Sequence, residues 1–373
     1  MTYLLTAFLI CWLITLLVVR YAHVHNHLTG DHDLVGIQKV HTRPVPRMGG
    51  LGIFVALISI AAFMSLRNVD FSRDFWLILL ASSPAFIAGL AEDLTKRVGV
   101  AARLAATLGA AGLGYILLGA NIERTDIAWL DDLLLWWPMS LCFTIVTVGG
   151  MSHAINIIDG FNGLAGMVSV IILGAIGYVA FIQGDFLLWR MSACLCGATA
   201  GFLFWNYPRG LIFLGDCGAY FLGFMIGELA VLLVLRNPGV SAWFPVLVVI
   251  YPVFETLFSI YRRSILRGAS PGLPDAAHLH SLVYKRIVRW AVGSQEARHR
   301  LKRNAMVSPY LWGLCTLSVI PAIIFWHNTW VLIGFITLFM ILYIQLYRRI
   351  VLFRAPKQLI VHNPSPPPSK KEP

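Results

Sequence analysis

The chain has 373 residues, 58% of them hydrophobic, with a mean hydropathy of +0.74 and only 13% charged residues, against roughly 25% in soluble domains. That balance excludes a soluble globular enzyme, and the lack of a glycine repeat, a polar tract or a paired-cysteine framework excludes collagen-like, disordered and disulfide-scaffold proteins. What remains is a polytopic membrane protein with a net charge of +11, and that excess of base acquires meaning only from where it lies.

A bilayer core takes about 20 apolar residues per helix. Eleven stretches qualify, near 4–19, 51–66, 75–91, 100–119, 133–151, 164–182, 188–205, 217–235, 242–260, 310–326 and 329–347. With the N-terminus outside, the inside segments hold 24 of the 29 basic residues, leaving outside only Arg67, Arg73, Arg124, Arg190 and Arg236 beside a larger number of acids. The positive-inside rule therefore predicts an all-α protein with its N-terminus outside and its C-terminus cytoplasmic. The first span has no basic segment before it and no small-residue cleavage site after it, and reads as an uncleaved anchor. Residues 1–350 form one membrane-embedded domain, and the proline-rich 351–373 is expected to be a disordered tail. The six cysteines lie in or beside spans without metal-type spacing and read as packing residues. No internal repeat of the kind common in transporters is evident.

The outside loops are ordinary turn material. The inside loops, taken as 21–50, 92–99, 152–163, 206–216 and 261–306, carry nearly all the Gly, Asn, His and acid clusters, which points to an active site at the cytoplasmic membrane face. In the first, Lys39, His41, Arg43 and Arg47 could bind phosphate or merely serve orientation. The alternating His23, His25 and His27 upstream lack a carboxylate at ligand spacing and read as interfacial rather than metal-binding. In the second, Glu92 and Asp93 end an apolar helix beside Lys96 and Arg97. Such a pair is costly at a membrane edge unless it is solvated, salt-bridged or binds something cationic.

The third loop has no basic residue. His153, Asn156, Asp159 and Asn162 recur every three positions, which would set four polar groups on one side of a helical turn, suited to a hard cation or to a base or sugar. In the fourth, Asp216 is a lone acid between Gly215 and Gly218, an intramembrane-edge carboxylate whose economical partner is a divalent ion; Phe213 could stack on a nucleobase. The fifth is the longest and most basic. His278 and His280 follow Pro271, Pro274 and Asp275, and among so many cations they suit a pyrophosphate better than a metal. Anchoring to anionic lipid accounts for Arg298, Arg300, Lys302 and Arg303.

Taken in order, these motifs resemble the polyprenyl-phosphate N-acetylhexosamine-1-phosphate transferases over about residues 31–290. Glu92, Asp93 and Lys96 stand for that family's Asp-Asp pair and lysine. His153, Asn156, Asp159 and Gly160 stand for its Asn-x-x-Asn-x-x-Asp-Gly segment, Phe213, Gly215, Asp216 and Gly218 for Phe-x-Gly-Asp-x-Gly, and His278 and His280 for its histidine loop. Glu92 and His153 depart from the usual residues. The span layout and the His-Leu-His form look more like the branch initiating O-antigen and enterobacterial antigen than the peptidoglycan branch.

The resemblance implies a multi-pass protein of the bacterial inner membrane that initiates a cell-surface polysaccharide such as O-antigen. The implied reaction is attack of a lipid phosphate on the β-phosphorus of a UDP-N-acetylhexosamine, or a 6-deoxy derivative, releasing UMP. The implied cofactor is Mg2+, or Mn2+, on Asp216 with Asn156. Asp93 would orient or deprotonate the acceptor, and Glu92, Asp159 and Asp216 complete the catalytic acids, Asp159 serving the sugar or the metal. Lys39, Arg47, Lys96, His278 and His280 would hold phosphates, and Asn162 and Phe213 uracil. The partners are then polyprenyl phosphate and the UDP-sugar, with a homodimer allowed and nucleic acid not required. The competing readings are a lipid-linked sugar transporter or flippase, whose polar groups should lie near the bilayer midplane, and an inactive scaffold relative.

Overall fold

In hydrocarbon a backbone must satisfy its own hydrogen bonds, so apolar runs of this length form helices. The computed structural model describes residues 2–22, 45–266, 277–288 and 297–352, the side chains of 266 and 297–301 excepted. Its helices are α1 (Thr2–Arg20), α2 (Gly49–Leu66), α3 (Ser72–Thr95), α4 (Val100–Leu118), the short α5 (Ala128–Leu134), α6 (Trp137–Ile158), α7 (Leu164–Ile182), α8 (Phe186–Asn206), α9 (Gly215–Arg236), α10 (Trp243–Val248), α11 (Ile250–Tyr261), the short α12 (Leu279–Val283), α13 (Ala297–Ile324) and α14 (Thr329–Val351). The protein is all-helical over the described residues. Ten of these helices are long and apolar enough to cross a membrane.

The ninth of the eleven expected crossings, 242–260, is broken at Val249 into α10 and α11. Pro252 lies in the first turn of α11, where its missing N–H belongs to the set that has no partner within a helix. The stretch expected from 133 starts instead at Trp137, with Pro138 in the first turn, and α5 fills part of what reads as loop. Other ends follow ordinary capping. The Asp185 side chain accepts from Leu188 N–H (3.2 Å) to start α8, and Lys96 takes the left-handed conformation (φ 54°) to end α3.

Helix α9 is the axis of the bundle. Its residues from Cys217 to Leu233 are all buried, and α2, α3, α4, α6 and α7 pack around it. Helix α1 lies on α8 and α2 and keeps Leu5, Leu9, Leu13 and Leu17 on its outer surface. An apolar exterior is what lipid as solvent requires. Successive crossings alternate, so the starts of α2, α4, α7 and α9 and the ends of α3, α6 and α8 gather at one end of the bundle, here the site face. The opposite, far face carries the exposed Trp129, Trp136, Trp137 and Trp330, the residue type enriched where a membrane meets water. All six cysteines are free thiols, four of them buried.

Candidate active site

Asp216 stands in the first turn of α9 and is the centre of the polar cluster. Three close approaches put it there. Gly215 has φ +78°, and a Cβ on it would lie 2.4 Å from the Arg47 carbonyl and 2.6 Å from Asp93 Oδ2. A Cβ on Gly89 of α3 would meet the Asp216 carbonyl at 2.6 Å, and one on Gly50 of α2 would meet Gly218 N at 2.2 Å. Only glycine permits both the left-handed backbone and this packing. The entry to α2 pairs with the segment before α9: Phe213 N–H donates to the Pro46 carbonyl, Gly49 N–H to Phe213 and Gly50 N–H to Leu214, each at 2.9 Å. That pairing carries Arg47 to the site and holds Phe213, half-buried, beside it.

The Asp216 carboxylate is contacted from two helices. Arg103 Nη1 of α4 donates to Oδ2 at 2.5 Å, and Asn156 Nδ2 of α6 donates to Oδ1 at 3.0 Å. Asp93, at the end of α3 and 1% exposed, uses both oxygens on the start of α9: Oδ1 accepts from Asp216 N–H (3.0 Å) and Oδ2 from Cys217 N–H (2.9 Å). A carboxylate on a helix's orphan N–H groups is a strong cap, reinforced by the helix dipole. Its geometry is therefore that of an anchor for the helix bearing Asp216. Glu92 turns the other way, accepting Val98 N–H at 2.8 Å to close the turn into α4.

Asp159 lies just past the end of α6. Its surface is partly open, but dense surrounding protein pushes its carboxyl up to about 7, with Asp216 and then Asp93 adding to the effect and Arg47 opposing it. Gly160 follows directly, and a Cβ there would lie 2.9 Å from His280 Nε2. Phe161 meets the His280 ring edge-on at 5.5 Å, and the rings of His280 and His278 stack at 5.2 Å. The histidine loop thus closes onto the Asp159 turn.

The structure brings together Asp93, Asn156, Asp159, Asp216, Arg47 and the histidine pair. It does not set four polar groups of 153–162 on one face, because α6 ends at Ile158 and the following turn redirects the chain. His153 faces Thr107 Oγ1 (3.0 Å) and the Tyr220 ring. Asn162 is 3% exposed and built into the scaffold: its N–H donates to Asn304, its Nδ2 to the Pro208 carbonyl, and its own carbonyl accepts from Ser308. Its N–H, Nδ2 and carbonyl thus tie the α6–α7 connection to its neighbours. Lys96 is exposed at the end of α3. Lys39, His41, Arg43 and the upstream histidines lie outside the described residues.

Two residues escaped the sequence reading. Arg103 counted only as an inside charge, although a base one turn into an apolar helix already suggests a buried acidic partner. Glu255 is 2% exposed and accepts from His278 Nδ1; an acid inside an apolar stretch was its signal. As a cation site the donor set is all-oxygen: Asp216, Asp159 and Asn156, the ligand class that hard divalent ions prefer. The rise at Asp159 comes first from burial and then from Asp216, with Arg47 opposing it.

Residues 75–234 match the family described as Glycosyl transferase family 4. A Bacillus subtilis protein named "Probable undecaprenyl-phosphate N-acetylglucosaminyl 1-phosphate transferase" is 30% identical over 67% of this chain and 69% of its own length. The decaprenyl-phosphate N-acetylglucosaminephosphotransferase of Mycolicibacterium smegmatis is 28% identical over 77% of this chain and 74% of its own. A phospho-N-acetylmuramoyl-pentapeptide-transferase of Halalkalibacterium halodurans is 32% identical over 50% and 60% respectively. With the matched segment holding Asp93, Arg103, Asn156, Asp159 and Asp216, this chain belongs to glycosyl transferase family 4.

Proposed function

We propose that the protein transfers N-acetylhexosamine-1-phosphate, or a 6-deoxy derivative, from a UDP-sugar to polyprenyl phosphate at the cytoplasmic face of a bacterial inner membrane. The relatives' names concern sugar-1-phosphate transfer to polyprenyl phosphates, and the observation that carries the reading here is Asp216, held between Arg103 and Asn156 and anchored by Asp93 at one end of the bundle. The site face is assigned to the cytoplasm because it gathers most of the basic residues. The product would begin a cell-surface polysaccharide, of which O-antigen is the one favoured by the His-Leu-His form of residues 278–280.

An oxygen of the lipid phosphate attacks the β-phosphorus of the nucleotide sugar. The bond from that phosphorus to the bridging oxygen breaks, and UMP leaves with the bridging oxygen. Such transfer depends on positioning and on offsetting charge more than on covalent help from the protein. The acceptor phosphate has a second pKa near 6, so no strong base is required, in keeping with an Asp93 whose two oxygens are occupied by backbone N–H groups. Arg47 and the histidine pair border the Asp159 turn and would bind diphosphate oxygens, and Lys96 at the end of α3 would meet the acceptor headgroup. Asp216, Asp159 and Asn156 would hold Mg2+, or Mn2+ in its place, and the bound ion would offset charge on the diphosphate. Arg103 keeps the Asp216 carboxylate directed while substrates exchange.

The test uses the full chain in nanodiscs with undecaprenyl phosphate, MgCl2 and a panel of UDP-GlcNAc, UDP-GalNAc and a 6-deoxy analogue. UMP release with at least one of them is expected. No turnover with any, from protein that melts cooperatively, would sink the reading.

A further inference from the structure

We infer that Glu255 is a positioning residue: its carboxylate sets the ring orientation and tautomer of His278 and, through the stacked rings, the place of His280 beside Gly160. The kinetic consequence rests on the transferase reading, whereas the geometry stands without it.

Glu255 lies on α11, outside the segment matched to the family. Its Oε1 accepts from His278 Nδ1 and from Leu279 N–H, both at 3.1 Å, and its Oε2 from the Tyr343 hydroxyl of α14 at 2.5 Å. An ionised carboxylate can only accept, so the shared proton belongs on Nδ1, leaving Nε2 for other work. The backbone just ahead is held as firmly. Arg262 and the Tyr347 hydroxyl both donate to the Ala277 carbonyl, and Arg262 Nη2 donates to Ser259 Oγ at 3.3 Å. Residues 255, 259 and 262 recur at helical spacing along one side of α11 and its continuing turn, and 343 and 347 do so on α14. The two helices thus form a clamp on residues 277–279.

The clamp points at the site. His278 stacks nearly parallel to His280 (15° between rings), and His280 Nε2 is the atom a Cβ on Gly160 would strike. A displacement of His278 therefore moves the pair relative to Asp159. If packing alone were served, an apolar residue would fill this place without the cost of burying an acid among helices. A carboxylate that fixes a histidine from behind is how partners one step removed from a reaction act, and losing one typically costs about 10–100-fold in metal affinity or activity at metal sites.

The experiment is a double-mutant cycle on the full chain, reading UMP release from UDP-GlcNAc and undecaprenyl phosphate. Glu255→Gln is expected to lower kcat about tenfold or more while the melting transition stays within a few degrees of the parent, and to cost nothing further in a His278→Ala background. Wild-type kcat in Glu255→Gln, or the same loss in both backgrounds, overturns the inference. If Glu255→Gln fails to fold, Tyr343→Phe replaces it, since it keeps the charge and removes one hydrogen bond. A loss of a few-fold that disappears in the His278→Ala background supports the inference, and one that persists there overturns it. If the wild type turns over no UDP-sugar, the transferase reading fails. The dyad is then decided by 15N shifts of His278: a single Nδ1-protonated tautomer in the wild type that becomes mixed in Glu255→Gln supports it, and an unchanged tautomer overturns it.

Discussion

Two polar clusters close the opposite ends of this bundle, and they treat their aspartates in opposite ways. At the far face Asp126 accepts from Arg124 (2.7 Å), Ser241 Oγ (2.9 Å), Ala242 N–H (2.9 Å) and Thr329 Oγ1 (2.8 Å), and Arg124 also ties down the Val240 carbonyl. Burial would raise the Asp126 carboxyl, but the donors from Thr329, Ala242, Ser241 and Arg124 outweigh it and hold it below its ordinary value. At the site face Asp159 is pushed up to about 7 by burial and by Asp216. A joint gives each carboxylate enough donors, whereas strongly perturbed carboxyls cluster at functional sites. The same residue type is thus lowered by its donors at one end and raised by burial at the other.

The comparison predicts that substitutions at the site face cost activity and those at the far face cost stability. The largest effect is expected for Asp216→Asn, which keeps the shape but removes the central charge. UMP release should fall by about 10²–10³-fold with little change in melting temperature. Retained activity would remove the centre from the site.

Asp93→Asn comes next and should register on both scales, because an amide cannot offer two acceptor oxygens to the N–H groups of Asp216 and Cys217. Turnover should drop and stability should fall by about 2 kcal/mol, read from denaturation in detergent. Loss of activity at unchanged stability would instead restore Asp93 as a group acting on the acceptor.

Asp126→Ala is expected to cost about 1–3 kcal/mol of stability and to leave turnover per folded molecule unchanged. Its pH dependence has a definite sign. A carboxyl lowered on folding stabilises fully above its unfolded value near 4, and that contribution is lost as the pH falls through the lower folded value. The melting temperature of Asp126→Asn should therefore decline less than the parent's below pH 4.

The smallest effect concerns Asp159 without divalent cation. A carboxyl raised to about 7 on folding makes the folded state progressively less favourable as the pH climbs from its unfolded value near 4 through 7. Asp159→Asn should then melt slightly above the parent at pH 8 and level with it at pH 4. A lower melting temperature at pH 8 would show that Asp159 is already compensated, as Asp126 is.

How much of this was legible in the chain depends on the range of the interaction concerned. Asn156, Asp159 and Asp216 stand out because polar groups in apolar surroundings are expensive. Asn162 does not share their face, because its three-residue spacing continues past Ile158, where the helix ends and the turn redirects the chain. Glu92 and Asp93 look equivalent as neighbours, yet one closes a local turn with Val98 and the other caps a helix that begins 122 residues later.

By itself the sequence determined the all-helical membrane architecture and the gathering of chemistry-bearing residues into alternate loops, because hydropathy and loop composition are local properties. Tertiary structure alone decided that Arg103 meets Asp216, that Asp93 accepts from the start of α9, that Asn162 bonds to Asn304 and Pro208, and that Glu255 stands behind His278. Each of these is a pairing between helices, set by which glycine-lined faces can approach closely, and no spacing along the chain encodes it.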